Sequence, residues 1–160
     1  MRRFRIVAFA VTLLLLSSVA ISKASLSKLL VSGGKLSRPV ELTASGVLRA
    51  SNPWFGTFIP QWNKATDDFT PGPPEDSKRY ELSFYAAFSD SAPPHIIYTA
   101  YYANDPGMHR CFVYLPGEHE QWYSTNASSI LRPKQDGRWN LADLEWCEQL
   151  NAAIGRAENP

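Results

Sequence analysis

The chain has 160 residues, with 16 Lys and Arg against 15 Asp and Glu, and two cysteines. That length fits one domain plus accessory segments. Without its first 24 residues the chain keeps 12 cationic residues against 15 acidic ones, a net of −3. A mildly acidic chain with no basic run lacks the phosphate-neutralising charge on which nucleic-acid affinity rests, so nucleic acid is excluded as an expected partner.

Residues 1–24, MRRFRIVAFAVTLLLLSSVAISKA, read as a secretory signal. Arg2, Arg3 and Arg5 form a cationic start, an uncharged run follows, and Ser22 and Ala24 stand at the small-residue spacing that a signal peptidase reads. The uncharged run is a little short of the ~20 residues that span a bilayer, and retention as a single N-terminal anchoring helix is the alternative. The run contains no cysteine, so a lipoprotein anchor is excluded. The expected location is therefore secreted or periplasmic, with membrane contact only if the segment is retained.

Residues 25–50 are weakly patterned. Ser25 to Gly34 reads as a polar tether, and Pro39 to Arg49 has room for a short strand in which Gly46 argues against a central position. A single domain is expected over residues 51–157. It opens with SNPWFGTFIPQW (51–62), where Pro53 and Pro60 oppose a regular helix, and residues 63–79 form a Pro- and Gly-punctuated loop.

Tyr80 begins the strand-forming region. YELSFYAAF places Tyr80, Leu82, Phe84, Ala86 and Phe88 on one face at period two. HIIYTAYYA (95–103) and RCFVYL (110–115) are further strands, joined by a type II turn at Asp105-Pro106-Gly107-Met108. The same turn chemistry at Leu115-Pro116-Gly117-Glu118 predicts a fourth strand in EHEQWYST. A C-terminal helix follows, with Asn140 as N-cap, Asp143 as capping-box acid and Gly155 as the C-terminal stop. Its apolar face carries Trp146, Cys147, Leu150, Ala153, Ile154 and Ala157. The expected fold class is α+β: an antiparallel β-meander of about four strands with one C-terminal helix packed across one face.

The chemistry centres on HRCFVYLPGEHEQW (109–122). Two cysteines behind a secretory signal favour one disulfide, Cys111 to Cys147, and both lie on faces that the layer architecture brings together. A cysteine nucleophile beside His109 is the competing reading, and a disulfide abolishes it. A hairpin with an even-length loop at Pro116-Gly117 puts His109 and Cys111 on one face with Glu118, Glu120 and Trp122. His119 then falls on the other face, so the two histidines share no ion, and no metal or cofactor is expected. Glu118 and Glu120 share a strand face as paired glycosidase carboxylates do, although acids beside a turn are ordinarily a solvated edge. Asn126-Ala127-Ser128 is a glycosylation sequon, meaningful in a eukaryotic host.

The remaining signal is aromatic density. Tyr85, Tyr98, Tyr102, Tyr114 and Tyr123 have polar tips suited to a sheet surface, while Trp54, Phe55 and Trp62 lie in the Pro-rich segment. Exposed rings of this kind bind sugars or protein partners, against the alternative that a small domain spends them on its core. The segment IPQWNKATDD, a following tyrosine and IIYTAYYAND together resemble the pattern of exosortase-associated periplasmic domains from polysaccharide gene clusters. In those domains a Trp/Phe-rich, Pro-containing segment precedes a strand ending in a Tyr-Tyr pair. The resemblance spans residues 59–104 at most, and the rest of the chain does not follow it.

The expected function is a secreted or periplasmic, non-catalytic binding or accessory module. Its partner is a glycan or a protein, held by Trp54, Phe55, Trp62, Tyr85, Tyr98, Tyr102 and Tyr123. The alternatives are a small extracytoplasmic enzyme working through the His109/Cys111/Glu120 face, and a membrane-anchored assembly subunit of a cell-envelope or polysaccharide export system.

Overall fold

The computed structural model describes residues 25–59, 71–89 and 91–158. The expected signal or anchor and Trp62 lie outside the described residues. The strands are β1 (Leu26–Gly33), β2 (Val40–Leu42), β3 (Arg79–Ala86), β4 (His95–Asp105), β5 (Arg110–Leu115) and β6 (Arg138–Leu141). They form one sheet in the order β2-β1-β3-β4-β5-β6, every neighbour antiparallel. The helices are α1 (Ser45–Ala50), α2 (Tyr123–Ser129) and α3 (Leu144–Glu158). The α+β class holds, with six strands among the described residues rather than about four, and three helices rather than one.

Register explains the core. Leu29 pairs with Phe84 and Val31 with Leu82; Phe84 pairs with Tyr98, Tyr80 with Tyr102, and Tyr102 with Val113. Paired residues point to one side, so a continuous apolar face forms, and α3 packs on it through Trp146, Cys147, Leu150, Ala153 and Ile154. Trp146 is fully buried, with Phe58 at 5.7 Å and Tyr102 at 5.6 Å between ring centroids. Its indole N–H donates to Ser51 Oγ at 2.8 Å, which satisfies the one polar atom that burial puts at risk.

Four expectations are corrected. The stretch expected to be a tether contributes β1, whose apolar residues fall into step with β3 only through a register shift between Leu26 and Lys28. The hairpin at Pro116-Gly117 does not form, and residues 118–125 are no strand. The Glu120 carboxylate accepts the Gly117 N–H (2.8 Å) and the Tyr114 hydroxyl (2.7 Å), closing the chain into a turn that leads to α2. Pro106-Gly107 does sit between two strands, but the left-handed residue of that turn is His109 (φ 50°) and not Gly107. A type II turn needs positive φ at the glycine. Finally, α3 is capped by Asp143, whose Oδ1 accepts the Trp146 N–H at 3.0 Å, and it runs through Gly155 to Glu158. Asn140 sits instead in β6, where its amide donates to the carbonyls of Gln135 and Arg138.

Helix α2 solves a problem at the edge of β4. Pairing of β4 with β5 begins only at Tyr101, which leaves the backbone of residues 97–99 without a strand on that side. The Asn126 side chain supplies the missing partner: its Oδ1 accepts the Thr99 N–H (2.8 Å) and its Nδ2 donates to the Thr99 carbonyl (2.7 Å). Ser129 Oγ donates to the Ile97 carbonyl at 2.6 Å. An exposed ladder is thereby closed by two side chains.

Candidate functional site

The residues of HRCFVYLPGEHEQW separate in space. Cys111 forms a disulfide with Cys147, with Cα atoms 6.1 Å apart, so no thiolate nucleophile exists in this state. His109 is exposed in the β4–β5 turn, His119 is exposed in the turn after β5, and Glu120 is engaged with Gly117 and Tyr114. The proposed His109/Cys111/Glu120 face therefore does not assemble. Among the described residues no group of three His, Cys, Asp or Glu side chains could hold a metal ion. Asn126, a glycan acceptor by its sequon only in a eukaryotic host, is buried with its amide nitrogen committed to Thr99, which opposes modification of the folded chain.

The expected aromatic platform divides in three. Tyr98 and Tyr102 are fully buried core residues, which corrects their assignment to an exposed surface. Burial is also the main reason that both hydroxyls titrate well above the ordinary phenol range. Trp54 is half-buried, and its indole N–H donates to the Ser129 carbonyl at 2.9 Å. Tyr85, half-buried, lies under the Lys28 ammonium at 5.0 Å, and Tyr123 is half-buried at the start of α2. Phe55 alone of the described set is freely exposed. On the sheet face opposite α3, Tyr101, Tyr114 and Trp139 form a row with centroids 6.3 and 5.4 Å apart. Burial and its bond to Glu120 push the Tyr114 hydroxyl up to about 12. Arg79 stacks on Trp139 at 5.6 Å, and Gly72 approaches the same indole, so this row is packed and not an open platform.

A concave site lies at the end of the sheet where β1 finishes and β4 turns into β5. It has a volume of about 550 Å³ and is bounded by residues 74–78, by the turn at residues 104–107 and by the last two turns of α3. Tyr80 and Ile154 give it an apolar floor, and Asp76, Asn104, Asp105 and Asn151 give it hydrogen-bonding walls. At its rim the Glu158 carboxylate accepts Lys78 Nζ (2.6 Å) and the Tyr80 hydroxyl (2.8 Å). Lys78 first, and Tyr80 second, hold the Glu158 carboxyl below its usual range. Below the walls, the Tyr102 hydroxyl donates to Asn151 Oδ1 at 2.6 Å, while Cys111 Sγ lies 3.6 Å from Asn104 Oδ1 and 3.7 Å from Asn151 Nδ2.

None of Asp76, Asn104, Asn151 or Glu158 stood out in the sequence. They come from three separate segments, and only Asp105-Pro106-Gly107 carried a local signal, that of a turn. Compared with protein-family models, with characterised proteins and with solved structures, the chain matches none.

Proposed function

We propose that the chain is a non-catalytic binding module of an oxidising, extracytoplasmic compartment, and that its ligand is a neutral or amine-bearing glycan held in the cleft beside Asn104 and Asn151. The observation that carries this reading is the composition of that cleft: a ring and an aliphatic floor, with amide and carboxylate walls, in a volume of about 550 Å³. Sugars present apolar C–H faces and a rim of hydroxyls, and a few polar groups around an apolar floor match both. Asp76, Asp105 and Glu158 outnumber Lys78, so an anionic sugar is disfavoured. The buried disulfide supports an oxidising location, where such bonds persist.

The test is binding to immobilised neutral and amino-sugar oligosaccharides, followed by titration with Asp76→Ala and Asn104→Ala. Each replacement should weaken binding by about tenfold or more while leaving the unfolding midpoint near that of the parent. Binding that survives both replacements, or that is lost only with Trp54→Ala, overturns the reading.

A further inference from the structure

The three carboxylates around the cleft are not equivalent. Glu158 is matched, since its carboxylate accepts Lys78 Nζ at 2.6 Å and the Tyr80 hydroxyl at 2.8 Å. Lys78 is the one cationic side chain among the described residues that line the cleft, and this contact consumes it. Asp76 is exposed, and water solvates it. Asp105 is different. It ends β4 and is only 8% exposed, yet its partners are few. Its Oδ1 accepts the Met108 N–H at 3.3 Å, a donor shared with the Asp105 carbonyl, also at 3.3 Å. Among the described residues no donor reaches Oδ2, and Arg110 Nη2 stands 3.9 Å from it, beyond hydrogen-bond range.

A carboxylate withdrawn from water without its donors is costly, and a cationic N–H group is the partner that offsets the cost best. The balance of charge agrees: three carboxylates less one ammonium leave the lining of the cleft at −2. Among the described residues no group of three His, Cys, Asp or Glu side chains converges to hold a metal ion, so the cation that fits is organic. The floor suits one. The Tyr80 ring is held by its hydroxyl on Glu158, by Tyr102 at 6.2 Å, and by Gly34, where any side chain would overlap it. A ring fixed in this way offers a standing apolar surface to C–H groups.

We propose, on the glycan reading of the cleft, that Asp105 is its specificity-determining residue and selects a sugar bearing a free primary ammonium over the neutral sugar of the same shape. The ammonium donates to Asp105 Oδ2, the amides of Asn104 and Asn151 meet hydroxyls, and Tyr80 and Ile154 carry the C–H face.

The experiment titrates the chain, with its disulfide intact, against a glucosamine oligomer and against the glucose oligomer of the same linkage and length. The buffer keeps the amine protonated. The parent should bind the glucosamine oligomer about tenfold or more tightly than the glucose oligomer. Asp105→Asn keeps the Oδ1 acceptor for Met108 and removes the charge; it should bring the two affinities within about twofold by loss of the amine ligand alone, with the unfolding midpoint near that of the parent. Arg110→Gln removes the cation nearest to Oδ2 in the structure and should widen the preference. Equal affinities in the parent, a preference that Asp105→Asn leaves intact, equal weakening of both oligomers by that variant, or no widening with Arg110→Gln each overturns the role of Asp105 and leaves the glycan reading standing. Binding of neither oligomer to the parent overturns both.

Discussion

Asn126→Ala tests the claim that one side chain stands in for a missing strand. The replacement removes two hydrogen bonds, of 2.8 and 2.7 Å, both to the backbone of Thr99, a residue with no solvent exposure. Each buried backbone group left without a partner costs about 1–3 kcal/mol, and water entering at the α2 edge recovers part of one. The expected loss is about 2–4 kcal/mol, read from urea unfolding followed by near-ultraviolet circular dichroism.

Asn126→Asp sharpens the test, because the carboxylate keeps the acceptor and loses the donor. Burial raises the pKa of the introduced carboxyl above its unfolded value, so the native state binds the proton more tightly. The variant should therefore gain stability as pH falls from 7 towards 4, when the protonated group again donates to the Thr99 carbonyl, and lose it as pH rises. The Ala variant should show no such gain beyond that of the parent chain. A cost under about 1 kcal/mol for Asn126→Ala, or a pH-independent deficit for Asn126→Asp, would refute the reasoning.

Replacing Cys111 and Cys147 together by Ala opens a loop with a sequence separation of 36, and loop-closure entropy sets the expected loss at about 4 kcal/mol as an upper value; urea midpoints of the oxidised parent and the double variant check it. Two core tyrosines should respond in opposite directions. Tyr98→Phe removes a buried hydroxyl that has no hydrogen-bond partner among the described residues and should be neutral or stabilising by up to ~1 kcal/mol. Tyr102→Phe removes the bond to Asn151 and should cost about 1 kcal/mol, both measured by thermal unfolding. Glu158 is held below its ordinary value of 4.5, chiefly by Lys78 and then by Tyr80, so its contribution is complete above that pH and is lost as pH falls through the lower native value. Amide hydrogen exchange in the last turn of α3 should accelerate there in the parent chain and not in Glu158→Gln.

Where the local pattern is strong, the sequence was legible. Strands β3, β4 and β5 announce themselves by alternation and by β-branched and aromatic content. The apolar stripe of α3 and the pairing of Cys111 with Cys147 follow from helical periodicity and a count of two. Where long-range partners decide, it was not. The alternation of β1 is broken between Leu26 and Lys28 by the shift in register, so it looked like a polar tether. Strand β6 has four residues and reaches β5 only after α2 intervenes. EHEQWYST has the composition of a strand, but Glu120 takes the Gly117 N–H and Trp122 adopts φ 76° ahead of α2. The cleft was illegible for a related reason: its walls meet only once α3 lies across the sheet.

The disulfide does more in this arrangement than close a loop. Asn104 is the cross-strand partner of Cys111, and Asn151 stands one helical turn after Cys147. The bond therefore ties together the neighbours of the two amides that wall the cleft from opposite sides, one on the sheet and one on the helix. Tyr102 adds a second tie, since its hydroxyl meets Asn151 at 2.6 Å and Cys111 Sγ at 3.0 Å. Lys78 and Glu158 close the rim two turns further along α3, through a contact that is partly solvated and hence weaker than the covalent one. The base of the cleft is thus tied covalently and its rim by a partly solvated ion pair. A site whose base is already fixed loses little conformational entropy there when it takes a ligand. That arrangement gives a physical reason for the single disulfide to lie beneath this cleft and not beside the α2 edge, where Asn126 and Ser129 already close the sheet.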